Sequence, residues 1–208
     1  MKIEKINGFW VPSNDTHIED WKAGKPFTQN KCLLKFVKYC TEQNKKFKTV
    51  LDIGAWCGTW AKALEPFSQN IVAFEPDPVH FDCLQKNCTI NCSPRNEAVG
   101  SEEKFISLTA DDFTQAKRVD SAGKIKMVTV DSLDIPDVDL IKIDVEGYEM
   151  EVIKGATKTL ARTNFLMIEL NNNTKKYGSS NIEIEKKLQN MGFKPILDHW
   201  PDKVFYRV

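Results

Sequence analysis

Four apolar segments of this chain end alike. FKTVLDIG (47–54), NIVAFEP (70–76), DVDLIKID (137–144) and NFLMIEL (164–170) are short and apolar, and each carries a carboxylate at or near its end: Asp52, Glu75, Asp144 and Glu169. Runs of this length read as strands of a buried, largely parallel sheet. Between them lie segments of helical period: 57–65, stopped near Pro66; 77–88, with Pro78 in its first turn; and 146–160, with Met150, Ile153, Ala156 and Leu160 inward. Strands alternating with helices define an α/β sheet with helices on both faces.

The remaining segments complete the sheet. RNEAVG (95–100) reads as the end of a short third strand, KFISL (104–108) as a small hairpin strand, and KIKMVTV (124–130) as extended. Residues 109–124 are polar and fit either a short helix or an ordered loop. The connection 171–181 has the glycine, serines and asparagines of a mobile cover, and a helix follows at 182–190. FKPIL and KVFYRV are separated only by the turn region WPD at 200–202, too short for a parallel crossover. The last strand is therefore antiparallel to its neighbour, in a seven-stranded mixed sheet.

Upstream, Phe27 to Cys40 reads as a helix with Leu33, Leu34, Val37 and Cys40 on one face. The first 25 residues read as an irregular arm whose aromatics Phe9, Trp10 and Trp21 pack on the domain or cover a ligand. The expectation is one domain over 1–208, with 1–46 as arm and helix and 47–208 as the α/β core.

Charge and composition narrow the function. Lysine plus arginine number 29 and aspartate plus glutamate 29, a balance that argues against a general nucleic-acid binder. No run is long enough to span a membrane and no signal-peptide stretch opens the chain, so a cytoplasmic location is expected. The six cysteines show neither CxxC pairs nor cysteine–histidine clusters and read as reduced filler.

VLDIGAWCGTW (50–60) places Gly54 and Gly58 around a strand-to-helix turn, where glycines let backbone approach a ligand. Glu75, ending the next strand, can accept both hydroxyls of a ribose. A dinucleotide fingerprint needs a second glycine where this chain has Trp56, whose indole would block pyrophosphate. An adenosyl ligand without pyrophosphate fits better than NAD, so an NAD oxidoreductase stands as the alternative, beside a cofactor-free scaffold.

Taken together, VLDIGAWCG, IVAFEPDPVHFDCLQKN, NEAVG, VDLIKIDVEGYEMEVIKGA and FLMIEL resemble the FkbM family of class I S-adenosylmethionine-dependent methyltransferases, over roughly residues 47–170. The resemblance implies a Rossmann-like methyltransferase fold. It also implies methyl transfer from S-adenosyl-L-methionine to a hydroxyl on a sugar or natural-product-like small molecule. It places Asp52, Gly54, Ala55 and Gly58 against the methionine and sugar parts of the cofactor. Glu75 holds the ribose, Phe74 or Pro76 flanks the adenine, and Asn96, Glu97 and Ala98 also meet the adenine. Asp144 lies nearest the reacting methyl. Two stretches depart from the pattern: residues between Gly100 and Lys124 have no clear match, and Leu170, Asn171 and Asn172 follow Glu169 where many family members offer a histidine nearby. A nucleic-acid methyltransferase is a further alternative, but DVEGY replaces the Asp/Asn-Pro-Pro-aromatic motif of the amino-methylating enzymes.

IKIDVEGYEM (141–150) carries the chemistry. Lys142 and Asp144 share one face of a buried strand, so Lys142 needs a partner, with Asp144, Glu169 and Asp52 available. The choice for Lys142 is between a structural ion pair and a group that steadies Asp144. Asp144 is the preferred base or hydroxyl-orienting group and Glu169 the next. Glu146 is placed in the first helical turn as a cap, and Glu149 on the same helix side as a solvated residue. Alternatively Asp144, Glu146 and Glu169, with Asn171, gather Mg2+ or Mn2+. His17, His80 and His199 read as surface or packing residues, with His199 able to reach a site rim. The expected partner is a small-molecule or glycan acceptor; the exposed aromatics of the arm would also suit a homodimer.

Overall fold

The computed structural model describes residues 2–27, 30–110 and 117–208. The chain opens with a hairpin, β1 (Ile3–Ile6) and β2 (Phe9–Pro12), followed by α1 (Ile18–Lys22) and α2 (Lys31–Glu42). Then come β3 (Phe47–Ile53), α3 (Thr59–Leu64), β4 (Ser68–Phe74), α4 (Pro78–Asn87) and β5 (Cys92–Arg95). A second small sheet is built from β6 (Ala98–Val99), β7 (Lys104–Ala110) and β8 (Lys117–Val128). The chain closes with β9 (Val138–Ile143), α5 (Glu149–Lys154), α6 (Thr157–Leu160), β10 (Phe165–Glu169), α7 (Asn181–Asn190), β11 (Phe193–His199) and β12 (Asp202–Arg207).

The main sheet has seven strands in the order β11-β12-β10-β9-β3-β4-β5. β3, β4, β5, β9 and β10 run parallel, and β12 is antiparallel to both β10 and β11, as the short 200–202 turn requires. Strand alternation sends Leu51, Ile53, Ile141, Ile143, Leu166 and Ile168 to one face, against Val152, Ile153, Leu160, Ile184 and Leu188 of α5, α6 and α7. Val50, Leu140 and Met167 face the other way, against Leu33, Phe36 and Cys40 of α2 and Trp60 and Leu64 of α3. Phe36 is completely buried, and truncating such a side chain costs about 3–5 kcal/mol. Helices on both faces explain why the central strands carry continuous apolar runs.

Several local expectations need correction. The face of α2 is set by Cys32, Leu33, Phe36 and Cys40; Leu34 is exposed. The third sheet strand is Cys92–Arg95, upstream of the expected 95–100, because the pairing partner of β4 is CSPR. Residues 109–124 are neither helix nor loop where described: β7 and β8 pair antiparallel from Lys104↔Met127 to Ala110↔Lys117, and 111–116 lie outside the described residues. The arm is a hairpin and a helix. The 171–181 connection holds a short 3-10 helix (Asn172–Tyr177), capped by Asn171. Cys88 and Cys92 are joined as a disulfide, while Cys32, Cys40, Cys57 and Cys83 are free and buried. Among the described residues no helix is long and apolar enough to cross a membrane.

Candidate active site

The order of the sheet reverses between β3 and β9, and the crevice at their carboxyl ends is where open α/β sheets bind ligands. The turn after β3 is closely fitted. Gly54 has φ +76°, and a Cβ there would lie 1.7 Å from the Asp144 carbonyl oxygen, so only glycine lets the two strand ends meet. The N–H groups of Gly54 and Ala55 both donate to the Phe74 carbonyl, at 3.0 and 2.9 Å. Trp56 also has positive φ, 50°, and its N–H donates to Glu75 Oε2 at 2.9 Å. Gly58 serves packing instead: a Cβ there would come within 2.9 Å of Leu84 on α4, and Gly58 does not line the cavity.

A cavity of about 310 Å³ opens over this turn. Its first half is lined by Gly54, Ala55, Trp56, Phe74, Glu75, Pro76, Glu97 and Ala98, together with the apolar Val99 and Met127. Glu75 is almost completely buried, and its carboxylate is aimed by backbone, with Oε2 held by Trp56 and Oε1 accepting from the Asp77 N–H at 2.8 Å. Each oxygen keeps a second acceptor position, which suits a pair of hydroxyl donors. Asp77 caps α4, accepting from Val79 and His80 at 2.9 and 3.0 Å. Asn96 stands behind the wall, donating to the Glu75 and Pro76 carbonyls at 2.8 and 3.1 Å. Arg95 Nε lies 2.8 Å from the Glu97 carboxylate. His80, read from sequence as a surface or packing residue, lines the cavity with Nδ1 3.8 Å from both Glu75 and Asp77.

The second half is built from strand ends distant in sequence. Lys142 is 3% exposed; its ammonium donates to the Gly54 carbonyl at 2.6 Å and lies 3.2 Å from Asp52 and 3.5 Å from Asp144. Burial pulls its pKa down, but Asp52 and Asp144 more than offset that, and the result is a shift upward. Asp52 is completely buried beneath the site and does not line the cavity, so it touches Lys142 and not a ligand. Asp144 lines the cavity and is partly exposed.

Carboxylate oxygens of Asp144, Glu146 and Glu169 lie within 4.8 Å of one another. Glu169, at the end of β10, accepts from Asn171 Nδ2 at 2.6 Å; burial first, then Asp144 and Glu146, push it up to about 9. Glu146 is raised by burial and by Asp144. Its backbone has φ +55° in the turn before α5, so it does not occupy a helical first turn; Asn173 Nδ2 holds its carboxylate at 2.9 Å. Glu149 takes the stapling part instead. It is fully buried, accepts from the Val145 and Gly147 N–H groups at 3.2 and 3.0 Å, and is pushed up to about 7 by burial.

Sequence reasoning missed Asp202. It pairs with Glu169 across β12 and β10, accepts from Asn30 Nδ2 at 2.9 Å, and is pushed up to about 6 by burial and then by Asp144. Only the antiparallel register brings it here, and nothing in WPD announces it. Trp56 and Tyr148 also line the cavity.

A Rossmann-like α/β fold with a carboxylate-lined crevice at its strand ends is the class these features define. The Methyltransferase FkbM domain matches residues 52–195, and the chain belongs to that family. The hexuronic acid methyltransferase AglP of Haloferax volcanii is 29% identical over 145 residues, covering 64% of this chain and 60% of AglP. The chain thus spans well under two thirds of that relative's length. The crystal structure of Methyltransferase FkbM from Methylobacillus flagellatus shares the fold with TM-score 0.57 at 16% identity, over 84% of this chain and 52% of that one. A Streptococcus pneumoniae protein solved in complex with S-adenosyl-L-methionine superposes with TM-score 0.51 at 13% identity, covering 83% of this chain and 72% of its own.

Proposed function

We propose that the protein transfers a methyl group from S-adenosylmethionine to a hydroxyl of a sugar or sugar-like small molecule. The observation that carries this reading is Glu75, a buried carboxylate facing the cavity and fixed by two backbone N–H groups. Glu75 accepts the ribose hydroxyls, the Phe74, Pro76 and Ala98 walls enclose the adenine, and Gly54 and Ala55 border the methionine part. The cofactor supplies an electrophilic methyl on its sulfonium. The chain supplies position and a proton acceptor. Asp144 takes the acceptor's proton, with Lys142 holding it in place. Glu169, pushed up to about 9, stands beside Asp144 behind the cavity wall and supports it through a shared proton. The AglP likeness supports a sugar acceptor.

The mutual approach of Asp144, Glu146 and Glu169 favours a second version, in which Mg2+ or Mn2+ sits among them with Asn171 nearby and lowers the hydroxyl pKa. Calorimetric titration with S-adenosylhomocysteine tests the cofactor assignment. Glu75→Ala should weaken binding by about 1.5–3 kcal/mol, the worth of charge-assisted hydrogen bonds. Unchanged affinity in the folded variant would remove Glu75 from the site. Methyl transfer to the methyl glycosides of glucose and glucuronic acid, read by mass spectrometry with and without chelator, tests the acceptor class and the metal.

A further inference from the structure

The amino-terminal hairpin and helix lie outside the matched 52–195 region, yet they reach the cofactor turn by two separate routes. The first is aromatic. Trp21 of α1 is 4% exposed, and its ring lies 5.8 Å from that of Trp56, within the range of direct ring contact. Trp21 is itself fixed: Asn7 Nδ2 donates to its carbonyl at 2.7 Å, and Phe27 packs against its ring at 5.3 Å. The Trp56 indole also lies 6.1 Å from the His80 ring. The second route is a polar staple. The Asn87 side chain, buried on α4, accepts from the Trp10 N–H at 2.8 Å and donates to the Trp10 and Cys57 carbonyls, each at 2.8 Å. One amide thus ties β2 of the arm to the residue after Trp56.

What these routes hold in place is unusual. Trp56 is a bulky residue at φ +50°, a conformation such side chains rarely adopt and keep only where the surroundings impose it. In that conformation its N–H meets Glu75 Oε2 and its indole lines the cavity. We infer that the arm is a working part of the cofactor site: Trp21 is a positioning residue that, through Trp56, fixes the orientation of Glu75 and the shape of the adenosyl pocket. The inference rests on the adenosyl reading above and assigns the arm to cofactor affinity, distinct from dimerisation or acceptor capture.

The test is calorimetric affinity for S-adenosylhomocysteine in the full chain, normalised to the folded fraction from circular dichroism. Trp21→Ala should weaken binding at least tenfold, Trp21→Phe should restore it to within about threefold of wild type, and Asn87→Ala should weaken it three- to tenfold with every aromatic intact. Asn87→Ala carries the test if Trp21→Ala does not fold. Wild-type affinity in folded Trp21→Ala or folded Asn87→Ala would overturn the inference and leave the adenosyl reading standing. No binding by the wild type would overturn that reading, and the inference with it.

Discussion

The two halves of the crevice hold their carboxylates in opposite ways. On the Glu75 side, Glu75 and Asp77 each accept two backbone N–H groups, so geometry is set by main chain that cannot rearrange without undoing α4 or the β3 turn. On the Asp144 side, Asp144, Glu146 and Glu169 crowd one another beside the buried ammonium of Lys142, with Asp202 on the neighbouring strand, and Glu146, Glu169 and Asp202 are shifted upward. The first arrangement suits a constant ligand. The second is charged, adjustable and sensitive to protons or cations, as expected where bonds are made.

The largest effect that would sharpen this contrast is on turnover. Asp144→Asn keeps the shape and removes the charge, and should lower turnover of an accepted sugar by roughly 10²–10⁴. Affinity for S-adenosylhomocysteine should stay within about threefold. A turnover within threefold of wild type, per folded molecule, would reduce Asp144 to the counter-ion of Lys142.

Next in size is stability. Lys142→Met leaves Asp52 buried without its cation, and removing one partner of a buried pair costs about 3–5 kcal/mol. Urea denaturation should show that loss, and the double variant Lys142→Met with Asp52→Leu should recover most of it. A single variant as stable as wild type would mean that Asp52 is neutral in the folded protein.

The smallest effect is on pH dependence. Asp202, Glu149 and Glu169, at about 6, 7 and 9, hold their protons more tightly folded than unfolded. A carboxyl raised in this way favours the fold fully below its ordinary value near 4, and that contribution is lost as pH rises through the folded value. Thermal midpoints should therefore decline from about pH 5 to pH 9. Glu169→Gln should flatten the upper part of that decline, above pH 7. An identical slope in wild type and variant would contradict the raised value at Glu169.

The same contrast explains what could be read from sequence. The Glu75 half is contiguous: a glycine turn, then one carboxylate at the next strand end, so local pattern already brings together Gly54, Ala55, Phe74, Glu75 and Pro76, which line the cavity. Asp52 and Gly58 are buried away from the cavity, and Asn96 is an exposed loop residue that braces the Glu75 and Pro76 carbonyls, which spacing alone does not show. The other half depends on register. Asp144 and Glu169 could be placed at strand ends, but Asp202 enters only because β12 runs back beside β10. Glu149 takes the capping part expected of Glu146, and Glu146 faces the cavity, because Glu146 and Gly147 both adopt positive φ and delay the helix to residue 149. Seven strands and an antiparallel last strand followed from segment spacing. KFISL and KIKMV read as a hairpin strand and an extended segment, as β7 and β8 have them, but the extension of both strands into 109–124 does not follow, since that polar sequence carries no clear period.

One crevice is proposed to hold the adenosyl group against Glu75 and to present the methyl to an acceptor hydroxyl whose proton passes to Asp144. A crystal structure of the S-adenosylhomocysteine complex tests it most directly. Both ribose hydroxyls should lie within hydrogen-bond distance of Glu75, the adenine between Pro76 and Ala98, and the sulfur on the Asp144 side. A ligand bound with its ribose away from Glu75, or with its sulfur turned from Asp144, would contradict it.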